Sequence, residues 1–307
     1  MLRFGLCCLF HKAPIKFRRT TARYLGTLSR QQQLQYLSQI CLHNAQSLLA
    51  ALQFCQQNSI GDFRVNSQIW PLKTHPDFTY EIEQLPDYPH IRALFSECGA
   101  FARANDLRTT FHPDQFILLS SPDPRITAQS VADLKYQARV AAWIQADVIN
   151  IHAGGAYGQK NKTLMRLARQ IEKLPDAVRT RLTLENDDRI YTPSDLLPVC
   201  RDTGVPFVYD VHHHRCLPDG QRIEHITEMA LQTWDREPLF HVSSPLGGWN
   251  GNNPRHHDDY IKLKDFPGSW LNFDLTVEIE AKAKELAVLK LKHAIEKKQI
   301  RTGKNKI

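Results

Sequence analysis

The 307-residue chain has no apolar run approaching the roughly 20 residues a helix needs to cross a bilayer, so no membrane span or membrane partner is expected. Its apolar start, Met1 to Phe10, is too short for a secretory signal and no small-residue cleavage site follows it. It reads as a first strand. There is no CxxC pair among Cys7, Cys8, Cys41, Cys55, Cys98, Cys200 and Cys216. An odd, scattered set argues against a disulfide framework and for a reducing compartment, with the thiols structural. No glycine-rich phosphate loop follows the first strand, which disfavours an open doubly wound sheet. No repeat, low-complexity segment or linker divides the chain.

What is present is ordinary in bulk and unusual in pattern. The hydrophobic content, 42%, suits a globular protein. The formal charge of +7 favours a polyanionic partner such as nucleic acid, or marks a basic surface without one. Part of the excess lies between Lys290 and Lys306, read as a solvated extension.

Strand-like and helix-like runs alternate. Strands are expected at Arg3–Cys8, Asp62–Ser67, Arg108–His112, Val148–His152, Arg181–Glu185, Phe207–Val211, Leu239–Ser243 and Trp270–Leu275. Three-to-four spacing of apolar residues predicts helices over Ser29–Gln57, Ile91–Asn105, Ala128–Gln145, Lys162–Leu174, Ser194–Arg201 and Glu278–Ile295. Eight such repeats give a (β/α)8 barrel as a single domain over residues 1–285, followed by a basic helix end and tail over 286–307.

His112, His152, Glu185, Asp210, His213, His241, His257 and Glu280 mostly fall where these strands run into loops. In a parallel barrel, strand ends converge on one face. Proline after His112 stops pairing, and the glycines after His152 let backbone pass close to a metal or phosphate. Glu185 ends an alternating strand, whereas Asn186–Asp188 reads as a turn. In Asp210-Val211-His212-His213-His214 spacing alone leaves the choice of histidine open. His256 and His257 stand at the start of an expected helix. Of Glu278 and Glu280, one is expected to be a ligand and the other exposed. A set of histidines and carboxylates suits two or three divalent ions of the manganese or zinc type, which activate water and stabilise charge on a phosphoryl oxygen.

In this order, several motifs together resemble the UV damage endonuclease family. They are Phe63-Arg64-Val65-Asn66-Ser67 with Pro71 and His75-Pro76, His112-Pro113-Asp114-Gln115-Phe116, His152-Ala153-Gly154-Gly155, Glu185-Asn186-Asp187-Asp188, Asp210-Val211-His212-His213, His241-Val242-Ser243-Ser244, His257-Asp258-Asp259-Tyr260 and Glu280-Ala281-Lys282. The resemblance implies a metal-dependent barrel, related in design to apurinic endonucleases and sugar isomerases. It would nick duplex DNA 5′ to UV photoproducts and other lesions, in the cytoplasm at the nucleoid, as a monomer without a protein partner. It implies the eight residues above as metal ligands, selecting His213, His257 and Glu280 over their neighbours, with Glu185, His241 and Glu280 in catalysis. The ions would be manganese, with zinc or magnesium as alternatives. Gln115 and Phe116 match a Gln-Tyr pair that wedges into the duplex. Leu239 stands where the family often has a lysine, and Leu6 and Phe10 lie nearest a Tyr and an Asn of the family's lesion pocket. A sugar isomerase or epimerase, or a barrel that binds damaged DNA without cutting it, are the alternatives.

Overall fold

The structure, a computed structural model, describes residues 2–114 and 116–301. Eight parallel strands close into one ring: β1 (Leu2–Cys7), β2 (Asp62–Val65), β3 (Arg108–Phe111), β4 (Val148–His152), β5 (Leu182–Glu185), β6 (Phe207–Asp210), β7 (Leu239–Val242) and β8 (Leu275–Ile279). Each pairs with its sequence neighbour, and β8 closes on β1 with Leu2 opposite Leu275. The outer layer comprises α1 (Ala22–Leu25), α2 (Arg30–Gln57), α3 (Tyr88–Ala104), α4 (Pro124–Ile144), α5 (Lys160–Glu172), α6 (Asp176–Arg179), α7 (Pro193–Thr203), α8 (Val211–Cys216), α9 (Ile223–Leu231) and α10 (Glu285–Arg301). The (β/α)8 barrel is the architecture that the alternating runs require.

Local signals fix the helix ends. Ser29 and Gln32 form a capping box at the start of α2. Pro193 opens α7, and Gly204 ends it in the left-handed region at φ 69°. A Cβ on Gly99 of α3 would lie 2.8 Å from the Trp143 carbonyl oxygen, so α3 and α4 touch backbone to backbone there. Among the described residues no helix is long and apolar enough to cross a membrane.

The structure corrects four local expectations. The eighth strand is Leu275–Ile279, and Trp270 lies in a short 3-10 helix, Gly268–Asn272. Glu278 is therefore inside a strand, and the last helix begins at Glu285. No helix starts at His256; His257 forms an antiparallel bridge with Pro245. The stretch from Lys290 to Arg301 continues α10, with Leu291 and Ile295 buried against the core.

The barrel interior is largely polar. Asp62, Arg64, Thr110, Asn150, Thr183, Glu185, Asp210, His241, Thr276 and Glu278 are all buried on the strands. Apolar side chains from alternate positions face the helices instead and build the main core. A purely apolar stack needs no pairing partners; this interior needs a partner for every polar atom.

Candidate metal centre

Strand register brings the site together. His152 is opposite Glu185, Asp210 is opposite His241, and His241 is opposite Glu278. Glu185, fully buried at the end of β5, is the hub. Its Oε2 lies 2.9 Å from His112 Nε2 and 3.9 Å from His152 Nε2; its Oε1 lies 3.1 Å from His241 Nδ1 and 3.3 Å from His213 Nδ1. Glu280, just beyond β8, reaches His241 Nδ1 at 3.6 Å and His257 Nδ1 at 3.8 Å. Three groups each bring their donor atoms within 4.8 Å of one another: His112, His152 and Glu185; His112, His241 and Glu280; Glu185, Asp210 and His213. All eight residues singled out from the sequence thus stand in one cluster, with His257 at its rim.

The run of three histidines resolves through a change of secondary structure. β6 ends at Asp210, which caps α8 by accepting the His213 backbone N–H at 2.8 Å. One turn of helix returns His213 to the Asp210 side, with 3.5 Å between His213 Nδ1 and Asp210 Oδ2. His214 turns away, bonded to Tyr209 Oη at 2.6 Å and Asp219 Oδ1 at 2.8 Å. His212 packs its ring 5.0 Å from that of His257 and faces Cys216 Sγ.

Neighbouring groups hold these side chains in place. His112 Nδ1 faces the Pro113 carbonyl oxygen at 3.2 Å, which turns Nε2 toward Glu185. Thr183 donates to Asn150 Oδ1 at 2.9 Å, so the Asn150 amide must donate to Glu185 Oε2, at 2.5 Å. Asn186 clamps the Asp210 backbone, donating to its carbonyl at 2.9 Å and accepting its N–H at 3.0 Å. The turn reading suits Asp187, whose carboxylate accepts the N–H groups of Arg189, Ile190 and Tyr191. It does not suit Asn186, which is buried.

Glu278 is also buried, so neither member of the Glu278/Glu280 pair is the exposed one. Its Oε2 lies 2.9 Å from His241 Nε2, and it is ion-paired with Arg64 of β2. Sequence reading missed Arg64, Asn150, Asn186 and Glu278 as parts of the site. The available signal was charge inside strands: Asp62 and Arg64 interrupt β2, and Glu278 interrupts β8.

Electrostatics follow from this packing. Burial pushes the Glu185 carboxyl up, but His241, His152 and His112 overcome it and hold the group well below its ordinary value. Burial acts to lower His241, yet Glu185 raises it to about 10. His213 is likewise raised, with Asp210 and Glu185 outweighing burial. His152 is lowered, chiefly by burial.

Phe116 is 74% exposed on the loop after β3, while Gln115 lies outside the described residues. Leu6 is fully buried, and Phe10 packs on Phe54 and Phe63. Leu239 is buried with Val148 and Val208 under Trp234.

The family model for the UV-endonuclease UvdE matches residues 2–305. The chain belongs to that family. It is 36% identical over 309 residues to the UV DNA damage endonuclease of Bacillus velezensis, covering 95% of this chain and 93% of the relative. Its structure is similar to the crystal structure of SacUVDE, with a TM-score of 0.86 and 25% identity, covering 97% of this chain and 99% of the other. Endonuclease IV from Thermus thermophilus shares the fold, with a TM-score of 0.62 and 13% identity over 96% of this chain and 98% of the other.

Proposed function

We propose that this member of the UV-endonuclease family is a divalent-metal-dependent endonuclease that nicks duplex DNA 5′ to UV photoproducts and other lesions. The observation that carries the reading is the convergence of His112, His152, Glu185, Asp210, His213, His241, His257 and Glu280 at one end of the barrel. Glu185 Oε1, Asp210 Oδ2, His152 Nδ1 and His241 Nδ1 are buried there with no hydrogen-bond partner. Buried polar atoms are rarely left unpaired, and bound cations account for such an arrangement. The mixed nitrogen and oxygen donors fit two or three ions of the manganese or zinc type. When bound, such ions supply an activated water and stabilise charge on the phosphoryl and leaving oxygens.

The chain's own residues set the geometry. Glu185 sits among four imidazoles, each with a ring nitrogen within 3.9 Å of its carboxylate. Asn150 and Asn186 fix Glu185 and Asp210 before anything binds. Phe116 projects its ring from the rim, where it would insert beside a distorted base step; recognition would then read the ease of deforming DNA more than its sequence.

The test is a duplex carrying one defined photoproduct, incubated with manganese, magnesium, zinc or a chelator, with the cut position mapped. Metal-dependent nicking immediately 5′ to the lesion is expected, and none from His241→Ala. Turnover of an aldose or ketose without nicking of any DNA would overturn the reading.

A further inference from the structure

Glu278 stands beneath the cluster rather than in it. It is 1% exposed on β8, and its carboxylate gathers donors on both oxygens. Thr110 Oγ1 donates to Oε1 at 2.5 Å. Arg64 Nε donates to Oε2 at 2.5 Å, Arg64 Nη2 contacts the same oxygen, and His241 Nε2 lies 2.9 Å from it. Arg64 Nη1 reaches Glu280 Oε1 at 2.7 Å. A Cβ on Gly5 would lie 2.9 Å from Glu278 Cγ and closer still to Asp62, so the glycine leaves room for this arrangement.

His241 faces two ways. Its Nδ1 is unpartnered and points at Glu185 and Glu280; its Nε2 points at Glu278 and Arg64. An imidazole that gives one nitrogen to a metal carries its proton on the other, and that proton needs an acceptor. Arg64 Nη2, 3.0 Å from Nε2, cannot accept; a guanidinium only donates. Left alone it would donate to a bare Nε2 and put the ring proton on Nδ1, facing the cluster. The Glu278 carboxylate reverses that preference.

We infer that Glu278 is a positioning residue. It holds the Nε2 proton of His241, which keeps Nδ1 open toward the metal centre. Arg64 balances its charge and tethers Glu280 in the same grip. The inference rests on the proposed metal centre and adds to it a residue outside the ligand set.

Two measurements test it. Nitrogen NMR of histidine-labelled, zinc-loaded protein should show His241 protonated at Nε2; a bare Nε2 would overturn the inference. For the second, Arg64→Met and Glu278→Leu are combined, because removing a buried ion pair as a unit avoids stranding one charge. Manganese affinity of the double variant should fall by about 10–100-fold, the usual effect of losing a ligand's supporting partner. Glu278→Gln in the Arg64→Met background, which keeps an acceptor oxygen without stranding the guanidinium, should recover most of that loss. Circular dichroism and melting of the metal-free variants establish that they fold. Wild-type protein that bound no ion would sink the metal centre itself. Wild-type binding matched by an equally tight double variant would sink only the role of Glu278.

Discussion

Loading the centre with ions should expel at least one proton, from His241. Without ions, the charges of Glu185, Asp210 and Glu280 are met partly by protonated histidines. His241 is raised to about 10 and His213 well above its ordinary value, whereas His152 is lowered. At pH 8 His241 therefore carries an extra proton, with His213 shifted in the same direction and His152 in the opposite one. Metal ligation requires neutral imidazole, so filling the centre should release at least one proton per chain, that of His241. Overall affinity should then climb by at least about 10-fold per pH unit between pH 7 and 9. Calorimetry in two buffers of different ionisation heat counts the protons directly. The same groups set the stability of the chelated protein. A pKa raised on folding gives stability that is complete below the unfolded value, near 6.5, and lost as pH rises through about 10. For His241 the rise from 6.5 to about 10 corresponds to stabilisation on the order of 5 kcal/mol. The chelated protein should therefore melt lower at pH 9.5 than at pH 6.5, with the difference shrinking once ions are bound. Manganese binding at pH 8 without proton release would refute this account.

Phe116→Ala should leave melting within about 0.5 kcal/mol, because the side chain is exposed, yet weaken binding to lesion-bearing duplex by about 1–3 kcal/mol with metal content unchanged. Fluorescence anisotropy on damaged and undamaged duplexes measures it, and an unchanged preference would remove the wedge role. Asp219 is a structural counterpart: burial raises its carboxyl, but donors from Ser194, Gln221 and His214 hold it at about 2. A depressed acid stabilises above its unfolded value, near 4, and that contribution, on the order of 2 kcal/mol, disappears as pH falls through about 2. Asp219→Asn should lower the melting temperature at neutral pH and flatten its decline in acid; an unchanged acid profile would show that the carboxylate contributes nothing.

The barrel was legible because most of its strands are short runs rich in apolar or β-branched residues, and β3 to β7 end where the candidate site begins. The eighth was misplaced for a physical reason. Trp270–Leu275 has the composition of a strand, but the Trp270 indole is held by Thr227 Oγ1 at 2.9 Å and packs on Tyr209 and Phe240, so it serves the barrel's outer packing. The true strand carries Glu278, whose charge disguises it; the compensating Arg64 lies on β2, far away in sequence. The candidate ligand positions were visible as strand endings and motif order. Their supports were not, because Asn150, Asn186 and Glu278 act through partners that only the closed ring brings near. His257 looked helical from its polar neighbours, whereas pairing of Leu246 and Asp258 with the His256 carbonyl and Ser244 makes it part of a hairpin-like loop.

The three donor triads differ in how much chain they span. One draws on β3, β4 and β5, and another on β5, β6 and α8, so each joins consecutive elements. The third joins His112 to His241 and Glu280, on opposite sides of the β8–β1 seam. A nascent chain can assemble the first two while the ring is still open; the third exists only after the final strand docks. An ion seated there would act as a latch on the finished barrel, fastening the ends of the chain's path rather than guiding its early folding.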